Sequence, residues 1–182
     1  GQKTTHYKEG LYVGYRYYDK AGVPVRFAFG HGLSYTRFSY SDLRIEGRTV
    51  RVTVANTGSR EGTEVVQLYI APPQNGLYRP LKELKGFAKV VLAPGESKTV
   101  TFSLEDRSFA VWADGWKIPA GTYGVLVGAA ADDIRLQGSL EVDGENVPAP
   151  TWQAGSWYET LKGLPADAEF EALYGSALQT DP

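Results

Sequence analysis

The chain has 182 residues, of which 42% are hydrophobic and 22% charged, a globular composition with material for one domain and its appendages. A formal net charge of −2 gives no electrostatic pull toward nucleic acid or an anionic membrane, and no apolar run approaches the ~20 residues of a membrane helix. The absence of cysteine excludes disulfides and thiolate chemistry, and two histidines are too few for a His-rich metal centre, so no metal or cofactor is expected.

Zero cysteines leave the compartment open: periplasmic, secreted and cytoplasmic settings are all compatible. The first ten residues (GQKTTHYKEG) contain no apolar stretch of the kind a signal peptide carries. The sequence also contains no methionine, and it reads as a piece of something longer.

Residues 1–39 are dense in aromatic side chains (Tyr7, Tyr12, Tyr15, Tyr17, Tyr18, Phe27, Phe29, Tyr35, Phe38) and are punctuated by Gly10, Gly14, Gly22, Gly30 and Gly32. No strand period of useful length runs through them, so the segment reads as irregular. That much aromatic surface is not tolerated bare on a monomer. The segment is expected to fold back over the rest of the chain or to pack against a neighbour.

From Tyr40 onward the pattern changes to a period of two. Tyr40–Ile45 comes first, then Thr49–Val54 with Val50, Val52 and Val54 on one face, ending at Asn56-Thr57-Gly58, where positive φ would close a turn. Gly62–Ala71 follows and stops at Pro72-Pro73. The loop to Pro80 is rich in Pro, Asn and Gly, and it carries Tyr78 and Arg79 as its recognition chemistry. Leu84–Leu92 ends at Ala93-Pro94-Gly95-Glu96, and Lys98–Leu104 alternates again.

Phe109–Trp112 leads into an Asp114-Gly115 turn with Trp112 and Trp116 on either side, one expected in the core and the other at its edge. Gly121–Gly128 and Ile134–Val142 close the series, with Gly138 read as a bulge. About seven or eight short strands, with turn signals every 8–12 residues and no helical pattern between them, predict an all-β, immunoglobulin-like sandwich. After a Pro/Ala linker, Ser156–Leu164 and Ala166–Tyr174 read as short helices. The first has a capping box from Ser156 and Glu159, and the second ends on Gly175.

Two stretches carry a family resemblance. Tyr7–Asp19 (YKEGLYVGYRYYD), continuing to Phe27–Thr36 (FAFGHGLSYT), resembles the junction between the middle domain of family 3 glycoside hydrolases and their C-terminal fibronectin type III-like domain. Ala28 stands where that family commonly has proline. Val65–Tyr69 (VVQLY), Leu81–Val90 (LKELKGFAKV) and Pro94-Gly95-Glu96 are similar to the body of the same domain. The matches reach over roughly residues 7–142.

The resemblance implies three parts: residues 1–39 as remnant of the middle domain and junction, 40–143 as the fibronectin type III-like sandwich, and 144–182 as linker and short helical extension. It implies a parent enzyme that hydrolyses β-glucosides or related β-glycosides with retention, through two carboxyl groups about 5–5.5 Å apart. Neither carboxylate of the family maps onto this sequence: the nearest string to the nucleophile's Ser-Asp-Trp context is Ser41-Asp42-Leu43, and the sugar-holding Lys-His pair is missing. No catalytic residue is therefore expected here, and the partner implied is the set of catalytic domains of the same enzyme.

Tyr15, Tyr17, Phe29, His31 and Tyr35 are the candidates for a domain interface. His31, between two glycines, reads as a junction turn hydrogen-bonded across a boundary, since no serine, cysteine or acid pattern accompanies it. The aromatics of residues 12–18 could instead stack on sugar rings. Glu9, Glu61, Glu64 and Glu83 read as solvated surface. Two other functions compete with the accessory domain: a carbohydrate-binding module, which needs an exposed aromatic platform that the strand pattern does not reveal, and a protein assembly module working through an edge strand.

Overall fold

A computed structural model describes residues 5–149 and 155–178. Its body is a sandwich of two antiparallel sheets. The three-stranded sheet has the order β1-β2-β5, from β1 (Phe38–Glu46), β2 (Thr49–Asn56) and β5 (Ser97–Ser103). The four-stranded sheet has the order β4-β3-β8-β9, from β3 (Gly62–Ala71), β4 (Glu83–Leu92), β8 (Gly121–Ala130) and β9 (Asp133–Val142). A two-stranded hairpin, β6 (Val111–Trp112) and β7 (Trp116–Lys117), stands apart, after a single 3-10 turn at Asp106–Ser108.

The alternation places one side of every long strand inward. Val50, Val52 and Val54 of β2 meet Val66, Leu68 and Ile70 of β3, with Val100, Phe102, Tyr123, Val125 and Val127 from their neighbours, all nearly inaccessible to water. Each such side chain contributes about 1.5–3 kcal/mol on burial, so these layers supply the main stabilising force of the fold. Leu104 and Phe109, just beyond β5, cap the same core.

One turn and one expected bulge differ from the sequence reading. Asn56 does not adopt positive φ; its side chain does the work, donating to the carbonyls of Arg60 (2.7 Å) and Leu92 (2.9 Å) and accepting from Gly58 N (3.0 Å) and Thr36 Oγ1 (2.7 Å). Gly138 is no bulge, since it pairs in register with Val125 while the irregularity falls at Gly128. A Cβ on Gly138 would sit 2.7 Å from Ile45 Cδ1. Glycine is there because the facing sheet presses close.

The N-terminal segment holds one helix, α1 (Tyr15–Ala21), closed by Gly22 in the left-handed conformation. No residue of α1 is fully buried and no apolar stripe marks it; its tyrosines are fixed by contacts with distant elements. The C-terminal extension forms α2 (Trp157–Thr160), shorter than the expected Ser156–Leu164, and α3 (Asp167–Tyr174), which ends on Gly175 with φ 79°. Ser156 stands at the N-cap of α2 without a capping bond from its hydroxyl. Glu169 ties the two helices instead, accepting from Trp157 N and Ala166 N, both at 3.0 Å.

Candidate interface site

The run Val66–Ile70 is buried on both faces, although only one face belongs to the sandwich core. The N-terminal segment covers the other. Tyr15 leans edge-on against Tyr69 (6.1 Å between ring centroids), stacks on Phe29 at 4.8 Å, and accepts a hydrogen bond from Leu84 N (2.9 Å). Gln67 donates to Gly30 O (3.3 Å) and Ala129 O (2.6 Å) and accepts from the Tyr69 hydroxyl. Gly30 has φ 80°, and a Cβ there would lie 2.4 Å from the Gln67 amide, so only glycine permits this approach. Burial raises the Tyr69 phenol above its ordinary range.

A second apolar cluster joins the two ends of the chain. Tyr12, Trp157, Tyr158, Leu161 and Phe170 are buried together, with Tyr17 and Tyr78 against them. Tyr17 lies parallel to Trp157 at 6.4 Å, Tyr78 crosses Tyr12 at 5.1 Å, and the Tyr158 hydroxyl donates to Lys8 O (2.7 Å). The Tyr78 hydroxyl donates to Glu9 O (3.2 Å) and accepts from Leu11 N (3.0 Å); burial pushes its pKa up to about 12. His6 is half-buried, 6.3 Å from Phe170.

Arg79 is the clearest departure from the expected surface loop: it is 6% exposed. Its guanidinium donates to Phe109 O (3.1 Å) and the Tyr123 hydroxyl (3.3 Å) and lies 3.6 Å from Glu83. Glu83 in turn meets Arg16 (3.2 Å) and Lys85 (3.5 Å), so it is a junction of charges rather than solvated surface. Lys82 and Asp19 add a pair at 2.5 Å. Arg79 and Tyr78 are structural members, and the loop bearing them is pinned at its end.

Of the remaining candidates, Phe29 is half-covered by Tyr15, while Tyr35 lies in the open at 93% exposure, near the equally bare Leu33 (95%) and Phe27 (69%). His31 is exposed beside Phe27, its N–H bonded to Ala28 O at 3.0 Å. It borders a hollow of about 550 Å³ shared with Arg37, Glu64, Asp133 and Arg135. There Arg135 grips Asp133 in a two-pronged pair (Nη2 at 2.6 Å) and holds its carboxyl below the usual range. Glu64 is not plain surface either: burial raises its carboxyl above the ordinary value, while Val65 N at 2.8 Å favours the ionised form.

The structure thus joins Tyr15 and Phe29 in one cluster and Tyr17 and Tyr78 in another, and it leaves His31 and Tyr35 outside both. The sequence reading missed Gln67, Tyr69, Trp157 and Tyr158. For Gln67 and Tyr69 the available signal was the Val65–Ile70 run, apolar on both faces but for Gln67, since a strand with only one face covered alternates. Among the described residues, no group of three or more His, Asp or Glu is placed to hold a metal ion, and no helix is long and apolar enough to cross a membrane.

The sheets and the arm laid over them define a class. The sequence model of the fibronectin type III-like domain matches residues 64–131, from β3 to the end of β8. The chain is 47% identical over 148 residues to thermostable β-glucosidase B of Acetivibrio thermocellus, covering 75% of this chain and 20% of that protein. It is 42% identical over 162 residues to the exo-α-(1→6)-L-arabinopyranosidase of Bifidobacterium breve, covering 83% and 21%.

Among solved structures it resembles the family 3 β-glucosidase of Bifidobacterium adolescentis, with a TM-score of 0.73 and 38% identity over 83% of this chain and 24% of that one. β-Glucosidase 3B of Thermotoga neapolitana matches with a TM-score of 0.70 and 45% identity, covering 74% and 20%. The chain belongs to the fibronectin type III-like domains of glycoside hydrolase family 3, and it spans about a fifth of the length of these curated relatives.

Proposed function

We propose that the chain is a non-catalytic accessory domain of a family 3 glycosidase acting on β-glucosides or related β-glycosides. In this reading residues 1–39 are the tail of the preceding domain, 40–143 the sandwich and 144–182 the helical extension. The catalytic body covers the bare end of the N-terminal segment. The observation that carries the reading is the exposure of Phe27, Leu33 and Tyr35 next to aromatics that the chain covers itself. The absence of both family carboxylates from the sequence supports the non-catalytic part.

The test is to mix the chain with the separately produced remainder of its enzyme and measure association by sedimentation. One-to-one capture, lost on replacing Leu33 and Tyr35 by serine, is the expected outcome, with no hydrolysis of an aryl β-glucoside by the chain alone. No capture, or capture indifferent to those substitutions, overturns the proposed interface.

A further inference from the structure

The hairpin β6–β7 carries two tryptophans that the sequence pattern had divided between core and edge. They stand directly opposite one another in the register, and cross-strand partners share a face of the ribbon. Both point outward: Trp112 is 69% exposed and Trp116 56%. Their rings cross edge to face at 5.6 Å, and the Arg107 guanidinium lies 4.5 Å from the Trp116 ring centre, fixing that ring from one side. The connecting turn is tight, with Ala113 N bonded to Gly115 O at 2.8 Å and both Asp114 and Gly115 at positive φ. A groove of about 450 Å³ runs alongside, lined also by Val147, Leu173 and the Arg79–Glu83 ion pair.

We propose that this hairpin is a binding platform for a neutral glycan chain. A pyranose presents an apolar C–H face and a rim of hydroxyls. An open tryptophan face takes the first, and the rim stays toward water beside a groove whose charges are already paired, so no net charge there calls for a charged ligand. The pairing of Arg79 with Glu83 argues against an acidic ligand, which would have to break it.

The place is separate from the proposed domain interface. The hairpin leads into Gly121 at the start of β8, whereas Phe29 is bonded to Ala131 beyond its end, and ten residues of strand set the two about 30 Å apart. The platform can hold a polymer while the bare aromatics at the other end are covered.

Cellohexaose titrated into the full 182-residue chain, followed by tryptophan fluorescence and amide NMR shifts, tests this. Saturable binding with shifts centred on residues 111–117 is expected, weakened about tenfold or more in the Trp112→Ala/Trp116→Ala variant and unchanged in Tyr35→Ala. Both tryptophans are exposed, so the variant's melting curve is expected to match that of the parent chain. Three results overturn the proposal: no saturable binding, shifts centred elsewhere in the parent chain, or a dimer in sedimentation that disappears in the double variant.

Discussion

The N-terminal segment contains two aromatic regions of similar composition and opposite fate. Tyr12 and Tyr17 are covered by Trp157, Tyr158 and the loop before β4, whereas Phe27 and Tyr35, on either side of the half-covered Phe29, stand in water. The difference lies in what the same chain has to offer them. Helices α2 and α3 bring an apolar face and a carboxylate that caps both, whereas the far end of the four-stranded sheet offers a polar hollow with Arg135 and Asp133. Aromatic density alone does not identify an interface; an interface is what remains after the chain has covered what it can.

That contrast can be broken where it is strongest. Trp157→Ala removes the centre of the covered cluster and is expected to cost about 3–5 kcal/mol in urea unfolding. A cost below about 1 kcal/mol would mean the helices only rest on the segment. Next, Arg79→Met leaves Tyr123 and the Phe109 carbonyl short of a donor and Glu83 short of a partner, an expected loss of about 2–4 kcal/mol.

Gly30→Ala puts a methyl into Gln67 at an unfavourable φ and is expected to cost about 1–3 kcal/mol. It is also expected to speed amide exchange in Ala131, whose N–H bonds Phe29 O, before exchange rises in the sandwich core. Glu64→Gln works on the bare side and is read by pH. A carboxyl whose folded pKa is raised favours the fold below its unfolded pKa, and that contribution is lost as pH rises through the folded one. The variant is therefore expected to melt higher than the parent chain near neutrality, the gap closing toward about pH 4. The smallest effect belongs to Leu33→Ser and Tyr35→Ser, each within about 0.5 kcal/mol in the chain alone.

The sandwich is legible from alternating strands bounded by turn residues: the bounds of Gly62–Ala71 match residue for residue, the other long strands differ by one or two positions at their ends, and the short β7 goes unmarked. The site was legible only in part. The sequence marks Tyr15 and Phe29 as aromatics in need of cover but not Gln67 and Tyr69 beneath them, because alternation says which side of a strand faces the core and nothing about what lies over the other. Arg79 looked exposed because it is charged and sits in a Pro-rich loop; its burial depends on Phe109 and Tyr123, 30 and 44 residues away. The sequence pattern splits Trp112 and Trp116 between core and edge, whereas cross-strand register, which only the folded hairpin supplies, makes them opposite partners on one face.

The corner at Asn56 has a mechanical meaning. Thr36, where the arm ends, is fastened to the Asn56 side chain, and Thr57 N holds the Arg37 carbonyl at 2.8 Å one residue later. The same asparagine grips the carbonyl of Leu92, the last residue of β4 in the opposite sheet. The joint is consequently clamped rather than hinged: tension along the arm is shared at once between both layers. The chain thus enters the sandwich with its direction at Thr36 and Arg37 set by both sheets.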